Sequence, residues 1–255
     1  MPSALAVLIL AFAVTGCSIP DSTERRGNFQ IESFRTDAFG HIATRHAMHH
    51  LNGSRRTKVT DSAGFFVIAL RDPDRVIYYT CDSGSSSSRD SNEASCRHEY
   101  FDGHTGSHHV IGRGLKVSMS ALDDPGRWSG SGNYVIIGED YELVLVNLQS
   151  GVAARLTETL QLREPFYPEK WQLRQARWGG WSPEGAYGAV IVMTPHGPGG
   201  PPVYEWDEEL YSLDAATKTL MLVTTHTGDL GGTGRRKLWR AGDFRWDGAM
   251  LQPPR

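Results

Sequence analysis

Trp181-Ser182-Pro183-Glu184-Gly185-Ala186-Tyr187-Gly188-Ala189-Val190-Ile191 opens on a polar turn and closes on an apolar, partly β-branched run. Gly185, after the polar residues, supplies the positive φ that a tight turn needs. The run behind it suits a buried strand. Trp181 has a large face to pack beneath the turn. Taken alone, the stretch predicts one hairpin.

It is not alone. Trp128-Ser129-Gly130-Ser131-Gly132-Asn133-Tyr134-Val135-Ile136-Ile137 repeats the pattern. Asp61-Ser62-Ala63-Gly64-Phe65-Phe66-Val67-Ile68-Ala69 repeats it without the Trp, and Trp246-Asp247-Gly248-Ala249-Met250-Leu251 is a truncated copy. A second kind of segment alternates with these: a strand ending in an Asp or Asn hairpin. Its copies are Glu142-Leu143-Val144-Leu145-Val146-Asn147-Leu148-Gln149-Ser150-Gly151, Glu209-Leu210-Tyr211-Ser212-Leu213-Asp214-Ala215-Ala216-Thr217-Lys218 and His98-Glu99-Tyr100-Phe101-Asp102-Gly103-His104-Thr105-Gly106. Asp and Asn bond the backbone two residues on, and Gly takes the left-handed position of the turn. A further strand follows each hairpin, at His109-Val110-Ile111, Ala154-Arg155-Leu156 and Leu220-Met221-Leu222-Val223.

The order turn, strand, strand, Asx hairpin, strand over residues 60–251 resembles the β-propeller repeats of the TolB-like and WD-repeat families, with Gly180-Trp181-Ser182-Pro183-Glu184-Gly185 the nearest match. The resemblance implies an all-β fold of about four sheets, a small or incomplete propeller, with a β-sandwich as the alternative. Turns beginning at Thr60, Trp128, Trp181 and Trp246 are 68, 53 and 65 positions apart, so blades of ~40–45 residues require insertions. The serine-rich loop after Cys81 and Pro195-His196-Gly197-Pro198-Gly199-Gly200-Pro201-Pro202 fill that role. Closure would need Phe29-Gln30-Ile31-Glu32-Ser33-Phe34 to complete the last sheet.

At the other end, residues 4–14 read Ala-Leu-Ala-Val-Leu-Ile-Leu-Ala-Phe-Ala-Val. The run is shorter than the roughly 20 residues of a membrane-spanning helix and fits the apolar core of a secretory signal peptide. Val14-Thr15-Gly16-Cys17 behind it resembles the lipobox of bacterial lipoproteins. That resemblance implies cleavage before Cys17, lipidation of its thiol with acyl chains such as palmitate, and membrane attachment. Met1-Pro2-Ser3 lacks the usual Lys or Arg, a departure that an upstream start or the terminal amine alone would explain; an ordinary signal peptide with an unrelated cysteine is the alternative to the lipobox. Ser18 in place of Asp implies, by the family's sorting rule, the outer membrane facing the periplasm in a Gram-negative source. The expected division is residues 1–16 signal peptide, 17–27 tether and 28–255 propeller-like domain.

With 39% hydrophobic residues and seven Trp the chain can bury a sizeable core. A formal charge of −3 with no block of one sign gives nucleic-acid binding no support. Cys81 and Cys96 form an even pair in an exported protein, so a disulfide closing the loop through Ser83-Gly84-Ser85-Ser86-Ser87-Ser88 is expected, with metal or redox use as the alternative.

Histidines gather in Asp37-Ala38-Phe39-Gly40-His41-Ile42-Ala43-Thr44-Arg45-His46-Ala47-Met48-His49-His50-Leu51. If this short N-terminal segment is helical, His46 shares a face with His49 and His50. Two imidazoles so placed can share zinc or copper, with His104, His108 and His109 as further ligands; a polar segment without a ligand is the plainer reading. No Gly-x-Ser-x-Gly elbow, His-Glu-x-x-His motif or phosphate loop is present. Trp171, Trp178 and Trp206 could form a surface patch or join the core. The expected function is therefore a non-enzymatic protein-binding or scaffold lipoprotein of the envelope, requiring no cofactor. A zinc- or copper-binding periplasmic lipoprotein ranks second, and a propeller hydrolase of envelope polymers third.

Overall fold

The computed structural model describes residues 19–38, 41–63, 66–81, 96–113, 124–138, 142–162, 174–195, 205–229, 238–240 and 242–253. The proposed signal peptide and Cys17 lie outside them. Among the described residues, seventeen strands form five antiparallel sheets in chain order. The first holds β1 (Ser22–Arg26), β2 (Phe29–Ala38), β3 (His41–Asn52) and β4 (Arg55–Ala63); the second holds β5 (Phe66–Asp72), β6 (Arg75–Cys81), β7 (Cys96–Asp102) and β8 (Ser107–Arg113). The third contains β9 (Tyr134–Ile137), β10 (Val144–Asn147) and β11 (Ala153–Arg155), followed by one helical turn, α1 (Leu156–Thr159). The fourth contains β12 (Gln175–Trp181), β13 (Tyr187–Pro195), β14 (Glu205–Asp214) and β15 (Thr219–Asp229); β16 (Arg245–Asp247) and β17 (Met250–Gln252) make the fifth.

Each sheet is an up-and-down meander, and neighbouring sheets meet face to face through apolar clusters. Phe29, Ile31 and Met48 meet Val76, Tyr78 and Phe101 between the first and second sheets. Ile77 and Tyr100 meet Val135, Ile137, Val144 and Val146 between the second and third. Ile136 and Leu145 meet Val190 and Val192 next, and Ile191 and Met193 pack with Trp239, Phe244 and Leu251 last. Successive strand residues point to opposite faces, so inner sheets covered on both sides need unbroken apolar runs. Val135-Ile136-Ile137 and Val144-Leu145-Val146 are such runs, every member buried.

The repeated turns have one geometry. Ser129 N bonds Tyr134 O and Gly132 N bonds Ser129 O; Ser182 N bonds Tyr187 O and Gly185 N bonds Ser182 O. The serine hydroxyls accept from Tyr134 N at 3.0 Å and Tyr187 N at 3.2 Å. The Asx hairpins match as well: Asp102, Asn147 and Asp214 carboxyl or amide oxygens each accept from the backbone N–H two residues on, at 2.9 Å. One further repetition lies in the outer strands. Val59, Ile111 and Val223 are each skipped by the ladder to the preceding strand, which bends the edge there.

The architecture is a small, open, propeller-like domain. Among the described residues no apolar cluster joins the first sheet to the fifth. Phe29–Phe34 runs within β2, paired with β1 and β3, so it does not complete the last sheet. β1 lies inside residues 17–27, the segment assigned to the tether, and pairs with β2.

Two expectations are corrected. His41–Asn52 is a strand rather than a helix, because β2 and β4 flank it and bond its backbone on both sides. No disulfide joins Cys81 to Cys96. The two are register partners at the end of the β6–β7 ladder, and the main-chain bonds of that ladder already hold together the ends of the serine-rich loop.

Candidate functional site

A strand distributes its side chains alternately, so β3 sends the histidines to different places. His46 Nδ1 lies 3.0 Å from the Ser33 hydroxyl across the ladder, and burial lowers its pKa. His49 emerges on the outer face of the first sheet, 3.5 Å from Glu32, its pKa lowered by burial and then by Arg56. That face is a salt lattice: Arg45 and Lys58 pair with Asp61, and Arg56 with Glu32. It bounds a shallow groove of about 470 Å³.

His50 turns inward. Its ring is buried 5.2 Å from that of Phe29 and 5.7 Å from that of Phe101. Gly103 passes so close that a Cβ there would stand 2.3 Å from His50 Nε2 and 2.9 Å from the Asp74 carbonyl oxygen, so any side chain would force the ring or that backbone to move. That nitrogen lies 2.8 Å from Asp74 Oδ1, which also accepts from Asn28 Nδ2 at 2.9 Å. His104 Nε2 approaches Asp74 Oδ2 at 3.8 Å. Bonds from Asn28 and then His50 hold the Asp74 carboxyl below its ordinary range.

Four hairpins build this place. Asn28 N bonds Pro73 O, Leu51 N bonds Asn28 O, and Gly103 N bonds Asp74 O. Together they wall a polar pocket of about 400 Å³ that includes Arg25, Asn28, His50, Asp74 and His104. His50 and His104, one from each histidine cluster, thus meet at a single carboxylate. Arg25, Asn28 and Asp74 went unnoticed in the sequence. The Asn52-Gly53 pair, a strong hairpin signal, could have pointed to this end of the first sheet.

The other histidines do not join them. His108 Nε2 lies 2.5 Å from Glu99 Oε2 and 2.6 Å from the Tyr78 hydroxyl, which itself donates to Glu99 at 2.7 Å. Arg97 pairs with the other Glu99 oxygen, so this buried carboxylate is fully engaged in joining strands. His109 packs beside Gly151 of the third sheet. Among the described residues no group of three or more His, Cys, Asp or Glu is arranged to hold a metal ion. Trp178 and Trp206 are core residues, 7% and 5% exposed, and Trp171 lies outside the described residues.

No protein-family model matches the chain, and no curated protein sequence matches it. Solved structures give a distant resemblance to propeller-fold proteins. The acylaminoacyl peptidase of Pyrococcus horikoshii aligns with TM-score 0.39 and 10% identity, over 81% of this chain and 32% of the peptidase. The chain therefore spans about a third of that enzyme's length. The β-propeller domain of the Trilobed protease from Pyrococcus furiosus, described as having an open velcro topology, aligns with TM-score 0.38 and 10% identity over 92% and 82%. A protein assigned as TolB from Agrobacterium tumefaciens aligns with TM-score 0.31 and 11% identity over 78% and 62%. The class defined by the sheets themselves is an all-β, propeller-like domain.

Proposed function

We propose that this chain is a lipid-anchored, non-enzymatic binding module of the cell envelope, and that a protein or peptide partner docks on the hairpin end around Asp74. The observation that supports it is the convergence of four hairpins from two sheets on one polar pocket, lined by Arg25, Asn28, His50, Asp74 and His104. Loops on a rigid sheet scaffold are where binding groups concentrate. The pocket offers an ionised acceptor held in place by Asn28 and His50, and exposed donors in Arg25 and His104. A polar peptide segment presents both complements.

The anchor rests on the lipobox resemblance of Val14-Thr15-Gly16-Cys17. Two or three acyl chains hold a protein at a membrane far more firmly than one. Labelled palmitate should enter the wild-type chain and not Cys17→Ala, which should leave the membrane fraction.

The docking reading is tested by chemical cross-linking in intact membranes, comparing wild type with Arg25→Glu/His104→Ala. The wild type is expected to yield a discrete cross-linked species that the double variant loses while its circular dichroism is unchanged. An identical cross-linking pattern in both removes the pocket from the binding role.

A further inference from the structure

We infer that the partner docking at the Asp74 pocket is acidic, a peptide segment whose Asp or Glu carboxylates are taken by Arg25 and Arg55. This rests on the pocket being the docking site and names the chemistry of what docks there. The first sheet differs in charge from the rest of the chain. Residues 22–63 carry seven Lys or Arg against four Asp or Glu, a formal +3 in a chain of −3, so the remainder carries −6. A segment rich in carboxylates is drawn to the one region and repelled by the other.

Register places most of that positive charge at the pocket's end of the sheet. Arg25 and Arg26 stand opposite Gln30 and Phe29, and Arg55, Arg56 and Lys58 opposite Asn52, Leu51 and His49. Leu51 and Asn52 themselves line the pocket. Three of these cations are matched: Arg26 with Glu24, Arg56 with Glu32 and Lys58 with Asp61. Arg25 and Arg55 are exposed and have no carboxylate partner among the described residues. Arg25 bonds only the Gly27 carbonyl, at 3.2 Å. The acids of the facing hairpins are engaged in turn. Asp72 and Asp102 both lie beside Arg75, and Asp74 is held by Asn28 and His50. A guanidinium is always charged and its fork fits a carboxylate, so one unmatched arginine in the pocket and one beside its Asn52 rim select that group.

Anionic headgroups of a bilayer also carry negative charge, but the path of the chain keeps them away. Asp21 N bonds Ser33 O at the far end of the β1–β2 ladder. A lipid on Cys17, four residues before Asp21, stays within ~14 Å of that end. The Gly27 turn lies six residues further along β1, roughly 20 Å away. The anchor therefore holds the opposite end of the sheet at the membrane, and Arg25 and Arg55 stand at the end remote from it.

Fluorescence anisotropy of the purified full chain in detergent tests the inference, with a labelled peptide of alternating Gly and Glu and its Gly-Gln counterpart. The Glu peptide is expected to bind about tenfold more tightly, the order that two exposed Arg–carboxylate pairs supply. That preference should shrink as salt is raised and vanish in Arg25→Gln/Arg55→Gln with circular dichroism unchanged. Equal affinities for the two peptides overturn the inference, as does a preference that survives the double substitution. A Cys17→Ala chain that uses Arg25 and Arg55 to prefer phosphatidylglycerol vesicles over phosphatidylcholine ones would assign the two arginines to lipid instead. If the membrane cross-link is lost in Arg25→Glu/His104→Ala while the two peptides bind alike, the docking site stands and only its acidic partner falls. An identical cross-linking pattern removes the site itself.

Discussion

His50 Nε2 stands 2.8 Å from Asp74 Oδ1 and so ties the third strand of the first sheet to a hairpin of the second. Asn28 bonds the same carboxylate oxygen, and the pair of bonds holds the Asp74 pKa down. A carboxyl lowered in this way contributes stability above its unfolded pKa and loses it as pH falls through the folded value. Asp74→Asn is therefore expected to be less stable than wild type near neutral pH and to approach it in acid. Urea unfolding at about pH 7 and about pH 3 reads the difference. A gap of the same size at both would show that ionisation of Asp74 contributes nothing.

His98 behaves in the opposite sense. Its side chain is fully buried, its ring is 4.6 Å from that of Tyr79, and neither ring nitrogen has a hydrogen-bond partner among the described residues. Burial pushes its pKa down to about 4 from 6.5. Between those values the unfolded chain takes up a proton that the folded chain refuses, so stability falls as pH drops through that window. The full loss is on the order of 3 kcal/mol, at about 1.4 kcal/mol per pH unit. His98→Phe keeps an aromatic ring against Tyr79 and should flatten the acid limb. Parallel curves for the two proteins across the window would refute the assignment.

The hairpins were legible because their chemistry is local. Gly132, Gly151 and Gly185 hold φ of +78°, +71° and +69°, and Asn147 and Asp214 bond backbone groups two and three residues away. The first sheet carries one such local mark, the Asn52-Gly53 turn with Gly53 at φ +59°, but that turn does not decide the type of the elements it joins. In that sheet β3 carries four histidines whose spacing suits a helix, and only β2 and β4, pairing on either side, decide for a strand. The pocket was illegible for a related reason. Asn28 and Asp74 are 46 positions apart, and each belongs to a turn that is unremarkable by itself. The skipped residues Val59, Ile111 and Val223 recur at one place in the repeat, but they are defined by cross-strand register, which composition does not encode.

Glu208 gives an alkaline counterpart to His98. It is fully buried between the fourth and fifth sheets, accepts from Trp239 N at 3.0 Å and lies 3.2 Å from His226 Nε2. Its Oε1 has no partner among the described residues. Burial raises its pKa to about 7, against the lowering effects of the Trp239 bond and Arg177; Asp243 raises it further. A carboxyl raised above its unfolded value favours the folded state at low pH and loses that contribution as pH rises through about 7. Glu208→Gln should come nearest to wild type at about pH 4, below the unfolded carboxyl value, and exceed it at about pH 9 in thermal midpoint, as read by circular dichroism. A variant no more stable than wild type at the alkaline end would mean that the Glu208 pKa is not raised above its unfolded value.

Gly185 and Gly248 both hold left-handed turn positions, with φ of +69° and +56°, but their surroundings differ. A Cβ on Gly248 meets no atom within 4 Å, whereas one on Gly185 would stand 2.7 Å from Gly130 N and 2.8 Å from Ser131 N, in the turn of the neighbouring sheet. Both alanine substitutions incur the left-handed backbone cost of about 1–2 kcal/mol. Only Gly185→Ala also forces two backbones apart, an overlap that typically adds about 1–3 kcal/mol. Chemical denaturation should therefore find Gly185→Ala the more damaging by at least about 1 kcal/mol. Equal losses would mean that the third and fourth sheets do not pack turn against turn, and the serial stacking of the sheets would lose its support at that joint.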